Sequence, residues 1–335
     1  MAEANGTADL RVPVYSAPEV LEQARKKLEK GRTQRCAAMY SSFFGGIILD
    51  PALMVIPIDD HMVHRGHGVF DTAMIMDGYI YELEAHLDRF LNSASKAKIS
   101  SPFPRPTLRS ILIQLAAASN CKKGHLRYWL SSGPGDFLLT PACCPEPTFY
   151  AVAIDHEYQQ CREGVKVITT TIPMKPPIFA TMKNVNYLPN VLSAMEAEEQ
   201  GAFASVWVDE RGFVGEGPNV NLAFVSKSKE LLLPEFDRVL GGCTAKRLLQ
   251  LAPRLAEKGL LKGVQTGNIT VKEAKDSAEM MYVGSSLPLL PIIEWDGQPI
   301  GDGRVGELTL ALSDLLWEDM VAGPDTQRTP IPYVV

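Results

Sequence analysis

The spacing of apolar and polar residues predicts a mixture of helices and strands in the first half of the chain. Residues 18–31 have the pattern of a surface helix that ends at Gly31, and residues 35–58 contain strand-like apolar runs. Residues 69–83 predict a β-hairpin, because Asp77-Gly78 separates two apolar runs and favours a tight turn. The same patterns predict four more elements: helices over 84–99 and 107–120, and strands over 126–131 and 147–154.

The second half of the chain shows the same alternation of element types. Thr270 and Glu273 have the spacing of a capping box and predict the start of a short helix. The other elements predicted here are a strand over 165–172, a helix over 189–200, a hairpin over 205–225 and a last helix over 306–322.

These elements predict an α/β or α+β protein with two domains and no internal repeat. The segment 156–164 is polar and lacks periodicity, so we interpret it as a linker. The predicted division is a small N-terminal α/β domain over 1–155 and a large C-terminal domain over 165–335.

Charge and composition exclude several classes of protein. The 335 residues carry a net charge of −6 and no basic run, so a nucleic-acid partner is not expected. No apolar stretch approaches the roughly 20 residues that cross a bilayer. Glu3 and Asp9 lie in an N-terminus without an apolar core, which is unlike a signal or transit peptide. We expect a cytoplasmic protein with free thiols, or a plastid protein if a targeting segment precedes this sequence.

The segment around Lys183 is the first candidate for chemistry. Lys183 follows apolar residues and precedes Asn184, between a predicted strand and a predicted helix. Partial burial there would favour the neutral, nucleophilic amine that a Schiff-base lysine needs. Taken alone, the position is more typical of an ordinary surface lysine on a loop.

A second candidate is Glu216, which lies between Gly215 and Gly217 in an apolar run. The glycines would let a flat ligand or another backbone come close, and the carboxylate could then pair with a protonated ring nitrogen. The alternative is a carboxylate at a strand edge that faces water.

Three further segments could bind an anion. Gly241 to Thr244 run into a predicted helix, whose free N–H groups attract negative charge. Ser285-Ser286 follow an apolar strand and offer hydroxyl groups. Arg89 lies on a predicted helix and could turn inward to clamp a phosphate. Each segment also has an ordinary alternative. Gly241 to Thr244 could form a capped turn, Ser285-Ser286 could be part of a loop, and Arg89 could be a solvated charge on its helix.

His61, His64 and His67 recur every third residue and form a rival constellation with acidic neighbours. On a continuous helix they could bind a metal ion. Gly66 and Gly68 interrupt such a helix, so we do not expect a metal site.

Taken together, these segments resemble the fold-type IV pyridoxal-phosphate (PLP) enzymes, a family that includes branched-chain and D-amino-acid aminotransferases and aminodeoxychorismate lyases. The resemblance extends from about residue 55 to 315. It is closest to plant D-amino-acid aminotransferase-like proteins. The matching segments occur in the family's order: Arg65-Gly66-His67-Gly68-Val69-Phe70-Asp71, His86-Leu87-Asp88-Arg89, Lys183-Asn184, Gly215-Glu216-Gly217, Gly242-Cys243-Thr244 and Ser285-Ser286.

The resemblance implies a two-domain fold, PLP as the cofactor and a homodimer. It implies that Lys183 is the catalytic lysine and that Glu216 pairs with the ring nitrogen of PLP. Tyr187 would line the cofactor, and most of the site would belong to the C-terminal domain. The residues implied to hold the cofactor phosphate are Arg89, Cys243, Thr244, Ser285 and Ser286.

The resemblance also implies the reaction class, a transfer of an amino group between an amino acid and a 2-oxo acid. A D-amino acid such as D-alanine is the favoured donor, with 2-oxoglutarate or pyruvate as acceptor. Phe70 replaces a tyrosine that binds substrate carboxylate in the bacterial D-amino-acid enzymes, and Arg127 is a candidate substitute. The alternatives are an aminodeoxychorismate lyase, which gives 4-aminobenzoate and pyruvate, and a non-catalytic protein that binds PLP or a metal.

Overall fold

A computed structural model describes residues 11–28 and 34–333. Three features of the sequence analysis lie outside these residues: Glu3, Asp9 and the predicted helix end at Gly31. Within them, no helix is long and apolar enough to cross a membrane.

The first sheet contains seven strands, all of which pair antiparallel. Its central hairpin turns at Asp77 and Gly78, which have φ values of 47° and 85°. Positive φ at both positions fits a tight two-residue turn, so the predicted hairpin is confirmed. In chain order the strands are β1 Cys36–Ser41, β2 Gly46–Ile48, β3 Gly68–Met76, β4 Tyr79–Tyr81, β5 Gly124–Ser131, β6 Thr148–Asp155 and β15 Arg328–Pro330. Their order across the sheet is β15-β4-β3-β5-β6-β1-β2.

The second sheet is mixed. It contains β7 Val165–Thr169, β8 Ala204–Val206, β9 Asn221–Val225, β10 Glu230–Pro234, β11 Gly263–Gly267, β12 Glu279–Val283, β13 Leu290–Trp295 and β14 Gln298–Pro299. The order is β11-β10-β9-β12-β13-β7-β8, and β14 pairs with β13 outside this path. The pairs β10/β11, β7/β13 and β7/β8 are parallel.

Helices cover the two sheets, and the predicted helices are present within a few residues of their expected bounds. The predicted capping box is confirmed, because the Thr270 side chain accepts from the Glu273 N–H and the Glu273 side chain accepts from the Thr270 N–H. The helices are α1 Ala17–Leu28, α2 His61–Arg65, α3 Leu83–Lys96, α4 Arg105–Ser119, α5 Pro177–Ala180, α6 Leu188–Glu199, α7 Cys243–Leu251, α8 Pro253–Glu257, α9 Val271–Lys275 and α10 Glu307–Ala322.

One strand prediction is wrong and another is confirmed only in part. The apolar run over residues 52–58 forms no strand; it continues from a short 3-10 helix at Pro51–Leu53. The predicted hairpin over 205–225 is present between Trp207 and Glu216, whose backbones pair around a turn, and it extends no further. Its second half instead forms β9, because that strand pairs with β10 and β12.

Three apolar cores hold these layers together. One core lies between the first sheet and helices α3 and α4, and contains Leu87 and Phe90. Another joins the far side of the first sheet to β9, β10, α7 and α10. A buried polar contact crosses this second core, where the Tyr81 hydroxyl and the Arg247 guanidinium both donate to Asp319. The third core fills the other face of the second sheet.

The division into two domains stays a prediction. Residues 156–164 form neither helix nor strand and connect the two sheets. One segment departs from the predicted ranges, because Arg328–Pro330 pairs with β4 in the first sheet. We therefore propose that this C-terminal strand belongs to the N-terminal domain.

Replacing Leu87 by alanine tests the first core. Leu87 is fully buried, so its loss leaves a cavity as well as removing apolar contacts. We expect the substitution to lower the free energy of unfolding by about 2–5 kcal/mol. The matched control is Leu49→Ala, because Leu49 is 60% exposed. Thermal melts followed by circular dichroism should show a clear fall in melting temperature for Leu87→Ala and none for Leu49→Ala. Equal melting temperatures for the two variants would contradict this assignment of the core.

Candidate active site

A cavity of about 480 Å³ lies between the two sheets and is lined by residues from both. Side chains from β3, α3 and β5 line one side, and residues that follow the second sheet's strands line the other. The cavity brings together all of the site residues expected from the sequence: Phe70, Arg89, Arg127, Lys183, Tyr187, Glu216, Cys243, Thr244, Ser285 and Ser286. Their roles stay predictions, whereas their proximity is a structural fact.

Lys183 lies on the short connection between α5 and α6, which is fixed to the first sheet. Its carbonyl accepts from the Phe70 N–H at 3.0 Å, and its own N–H donates to the Ser93 hydroxyl at 3.1 Å. Two residues later, the Val185 N–H donates to the Gly68 carbonyl at 3.1 Å. These bonds hold the backbone of Lys183 against β3, so its side chain enters the cavity from a rigid support.

The surroundings of the Lys183 amine favour its neutral form. Burial, together with the nearby Arg89 guanidinium, lowers the pKa of Lys183 to about 8. Its Nζ lies 3.4 Å from the Tyr187 hydroxyl and 4.7 Å from the centre of the Phe70 ring. A lysine with this pKa is partly unprotonated near neutral pH and can act as a nucleophile or a base.

Glu216 is a buried carboxylate on the opposite side of the cavity lining. It follows Gly215, where a side chain would collide with Met174, whose Sδ lies 2.7 Å from the ideal Cβ position. Burial raises the pKa of Glu216 to about 7, although Lys175 and a hydrogen bond from the Leu240 N–H oppose the rise. A cationic partner in the cavity would therefore easily ionise this carboxylate.

Arg89 turns inward, contrary to the solvated position that its helix alone favoured. Its Nε and Nη2 donate to the two carboxylate oxygens of Asp71 at 2.8 and 2.7 Å. The His86 ring lies 2.8 Å from the same carboxylate. Burial would raise the pKa of Asp71, but Arg89 and His86 hold it well below its usual range. Asp71 thus carries a negative charge that orients both cations.

Hydroxyl groups and a helix start meet next to Arg89. Helix α7 begins after Gly242 with no side-chain cap, so the N–H groups of its first turn remain available. The Thr244 and Ser285 hydroxyls lie 3.2 Å apart, and the Ser285 hydroxyl is 3.4 Å from His86 Nε2. Cys243 and Ser286 line the same part of the cavity. The arrangement suits a phosphate group.

Arg127 and an aromatic pair form the part of the lining contributed by the first sheet. Phe70 and Tyr187 contact each other with ring centres 5.1 Å apart. Arg127 projects from β5 on the cavity side, and its Nε donates to the Thr72 hydroxyl at 3.1 Å. Arg127 thus faces the cavity and remains exposed enough to meet a ligand.

The sequence analysis missed three side chains that matter here. Asp71 and His86 appeared only as parts of family-like segments, without a role of their own. Lys175 lines the cavity but drew no notice, because it lies in an irregular proline-rich stretch. The signal for Asp71 was its place in the apolar strand β3, where a carboxylate requires a buried partner.

The three rings of the histidine constellation come together in the structure. The His61 ring centre lies 5.2 Å from that of His64 and 5.1 Å from that of His67. His67 also lies within hydrogen-bond distance of the Ala97 carbonyl and the Ser132 hydroxyl. In residues 11–28 and 34–333, no group of three or more histidine, cysteine or acidic residues is placed to hold a metal ion.

Comparison with known proteins identifies the family. Residues 68–295 match the model of the family described as amino-transferase class IV. The chain is 55% identical over 334 residues to a protein from Arabidopsis thaliana named D-amino-acid transaminase, chloroplastic. The aligned residues cover 99% of this chain and 89% of that protein. The chain belongs to the class IV aminotransferases. It is therefore an enzyme, which excludes the non-catalytic alternative.

Two more distant similarities agree with this family. A D-alanine aminotransferase from Bacillus licheniformis is 26% identical over 288 residues, covering 85% of this chain and 98% of that protein. A solved structure of a branched-chain amino acid aminotransferase from T.th. with pyridoxamine 5'-phosphate has a TM-score of 0.82. It is 22% identical and covers 89% of this chain and 99% of that one. The predicted fold-type IV architecture is confirmed.

PLP is the cofactor of this aminotransferase, and its substrates are small amino and oxo acids. The cavity fits such a cofactor: it offers a desolvated amine, one buried carboxylate and, next to Arg89, a cluster of hydroxyl groups and helix N–H groups. Among the described residues, Arg89 Nη1 has no hydrogen-bond partner, so it is available to a ligand.

The buried charge of Asp71 predicts a pH-dependent loss of stability. Its depressed pKa in the folded state stabilises the protein above the ordinary value of 3.8, and this contribution disappears as the pH falls below that value. Asp71→Asn should lower the free energy of unfolding by about 3–5 kcal/mol at pH 7, because it leaves Arg89 and His86 uncompensated.

Urea unfolding at several pH values between 7 and 3 measures both effects. The stability of the parent should fall more steeply at the acid end than that of Asp71→Asn. Asp88→Asn is the control, because Asp88 lies on the same helix as Arg89 with an exposed side chain. Parallel curves for the parent and Asp71→Asn would contradict the assigned charge.

Proposed function

We propose that this aminotransferase moves the amino group of a D-amino acid, with D-alanine as the expected donor, to a 2-oxo acid such as 2-oxoglutarate or pyruvate. The observation that carries the chemistry is the desolvated Lys183 amine in a cavity with the buried Glu216. The preference for D-amino acids is supported by the name of the Arabidopsis relative.

Lys183 is proposed to act as the catalytic lysine. Its amine would hold the cofactor covalently and, when released, remove and return protons at the substrate Cα. A base works best when its pKa lies near the working pH, and a lysine pKa of about 8 meets this requirement. Tyr187, whose hydroxyl is 3.4 Å from Nζ, is proposed to orient the amine.

Glu216 is proposed to stabilise a positive charge at the far end of the cofactor ring. When bound, PLP supplies an aldehyde that condenses with amines and a protonated ring that withdraws electrons from Cα. Glu216 would be the ionised partner of that ring nitrogen. Its environment supports this role, because burial strengthens an ion pair and the carboxylate has no competing salt bridge among the described residues.

The donors around α7 are proposed to hold the cofactor phosphate. Thr244 and Ser285 would donate hydrogen bonds from their hydroxyl groups, and Arg89 would supply a positive charge. Cys243 and Ser286 line the same wall of the cavity and would complete the phosphate site. Asp71 is a positioning residue, since it touches Arg89 and not the cavity. A phosphate held at several points fixes the reactive end of the cofactor near Lys183.

Arg127 is proposed to bind the substrate α-carboxylate, with Phe70 forming the adjacent wall. Phe70 has no hydroxyl to donate to this carboxylate, so the carboxylate must be bound by another side chain. Arg127 supports this role because it faces the cavity and, among the described residues, makes no ion pair with a carboxylate.

Half-reactions test the proposed function and separate it from the lyase alternative. The PLP-loaded enzyme should release pyruvate from D-alanine much faster than from L-alanine and should form glutamate when 2-oxoglutarate is added. Lys183→Ala should reduce this transfer by at least about 1000-fold, because both covalent binding and proton transfer are lost. Coupled absorbance assays with a pyruvate-specific reductase measure the rates.

Lys258→Ala is the matched control, since Lys258 is exposed and outside the cavity. Release of 4-aminobenzoate from aminodeoxychorismate, without amino transfer from D-alanine, would instead establish the lyase. Retention of transfer in Lys183→Ala would contradict the role of this lysine.

We also propose that the enzyme is a homodimer. A band of exposed apolar side chains on α5 and α6 supports an interface beside the cavity, including Ile178 and Leu188 with 69% and 68% exposure. Apolar patches of this kind mark association sites. Light scattering should give twice the chain mass of 36.7 kDa, and Leu188→Glu should shift the protein toward monomers. A monomeric parent would contradict the proposal.

The compartment stays a prediction with two possibilities, the cytoplasm and the plastid. The name of the Arabidopsis relative, which is described as chloroplastic, supports the plastid for this protein.

A further inference from the structure

Cationic side chains outnumber carboxylates in the lining of the cavity. Its lining contains four cationic side chains, Arg89, Arg127, Lys175 and Lys183, but only one carboxylate, Glu216. This excess is local, because the whole chain carries a net charge of −6. Arg89 pairs with Asp71 and is assigned to the cofactor phosphate, and Lys183 is assigned to the chemistry. Arg127 and Lys175 remain as two cations available for anionic groups of a substrate.

Lys175 is a half-buried side chain without a partner of its own. Within the described part of the chain, its amine makes no hydrogen bond and no ion pair. Its Nζ lies 5.0 Å from the centre of the Tyr187 ring. It is close enough to Glu216 to oppose the rise in the pKa of that carboxylate. A lysine that is partly removed from water and left unpaired gains free energy when an anion binds to it.

The backbone that carries Lys175 is fixed on both sides. Before it, the Ile172 carbonyl accepts from the Trp207 indole N–H at 2.9 Å, and Met174 packs on Gly215. After it, Pro176 and Pro177 restrict the chain and begin α5. The amine is therefore presented from a rigid segment, which reduces the entropy lost when a ligand binds.

Lys175 and Arg127 lie against different rings of the aromatic pair. The Arg127 guanidinium carbon is 5.8 Å from the centre of the Phe70 ring, and Lys175 Nζ lies next to Tyr187. Lys183 Nζ is 4.7 Å from the centre of the Phe70 ring and 6.0 Å from the centre of the Tyr187 ring. Each ring beside the reacting amine thus has one cation against it that makes no ion pair among the described residues, and two such cations suit a substrate with two carboxylates.

We propose that Lys175 binds the distal carboxylate of a dicarboxylic substrate, so that the enzyme uses 2-oxoglutarate as acceptor through a contact that pyruvate cannot make. The proposal rests on the proposed function, in which Arg127 takes the α-carboxylate. Lys175 is a specificity-determining residue, because it touches the part of the substrate that does not react.

Half-reactions of the enzyme loaded with pyridoxamine phosphate, mixed with each acceptor alone and followed by the absorbance of the cofactor, test the proposal; D-alanine and pyruvate together would only exchange their amino group without net change. Lys175→Met removes the charge while keeping the length of the side chain, and Lys175→Arg keeps the charge. In Lys175→Met, kcat/KM for 2-oxoglutarate should fall about 10- to 100-fold, mainly through a higher KM, because a charge-assisted hydrogen bond is lost. In the same variant, kcat/KM for pyruvate should fall by less than about threefold. Lys175→Arg should restore most of the lost kcat/KM for 2-oxoglutarate.

Calorimetry gives a readout that does not depend on turnover. Glutarate and butyrate are unreactive probes with two carboxylates and one. Lys175→Met should weaken the binding of glutarate to the PLP-loaded enzyme about tenfold or more and leave the binding of butyrate nearly unchanged. The exposed Lys258→Met is the matched control, and it should leave both affinities as they are in the parent.

Three results would overturn the proposal. An equal loss with both acceptors in Lys175→Met would show that Lys175 acts on the cofactor site through Glu216. Unchanged kinetics and unchanged glutarate binding would show that it makes no contact with substrate. A parent enzyme that transfers no amino group from D-alanine to 2-oxoglutarate would refute the proposed function itself, and the inference with it.

Discussion

The structure of the site depends on one buried carboxylate, Asp71. A charge without access to water is tolerated only when cations compensate it, and Asp71 has two, Arg89 and His86. Because Asp71 belongs to β3 and both cations belong to α3, the ion cluster fixes the helix on the first sheet. His86 also reaches Ser285, which follows the second sheet. The anion-binding end of the cavity is therefore shaped by interactions within the protein, before any ligand arrives.

Local patterns predicted most of the fold. Helices α3, α4, α6 and α10 follow from apolar spacing, and the turn at Asp77 and Gly78 follows from two residues that accept positive φ. The failures concern strands. The run over 52–58 is apolar but forms no strand, and β9 pairs with β10 and β12 rather than with its neighbour in sequence. Strand pairing depends on partners far along the chain, which the local pattern does not contain.

Local patterns had the same limit at the candidate site. The places of Lys183 and Glu216 in the cavity were predictable from their segments together with the order of the other family-like segments, because each position taken alone had an ordinary alternative. The direction of Arg89 was not predictable from its helix, since it depends on a carboxylate 18 residues earlier that meets it only after β3 and α3 pack together. Lys175 gave no local signal, because prolines and a distant tryptophan set its position.

The final strand, β15, has a consequence for how the two sheets can move. The polypeptide passes from the first sheet to the second through residues 156–164, and it returns when Arg328–Pro330 pairs with β4. Two covalent crossings restrain relative rotation far more than a single flexible tether does. Opening of the cleft by a wide swing of one half is thus disfavoured. Substrate exchange must rely on smaller adjustments of the segments at its rim.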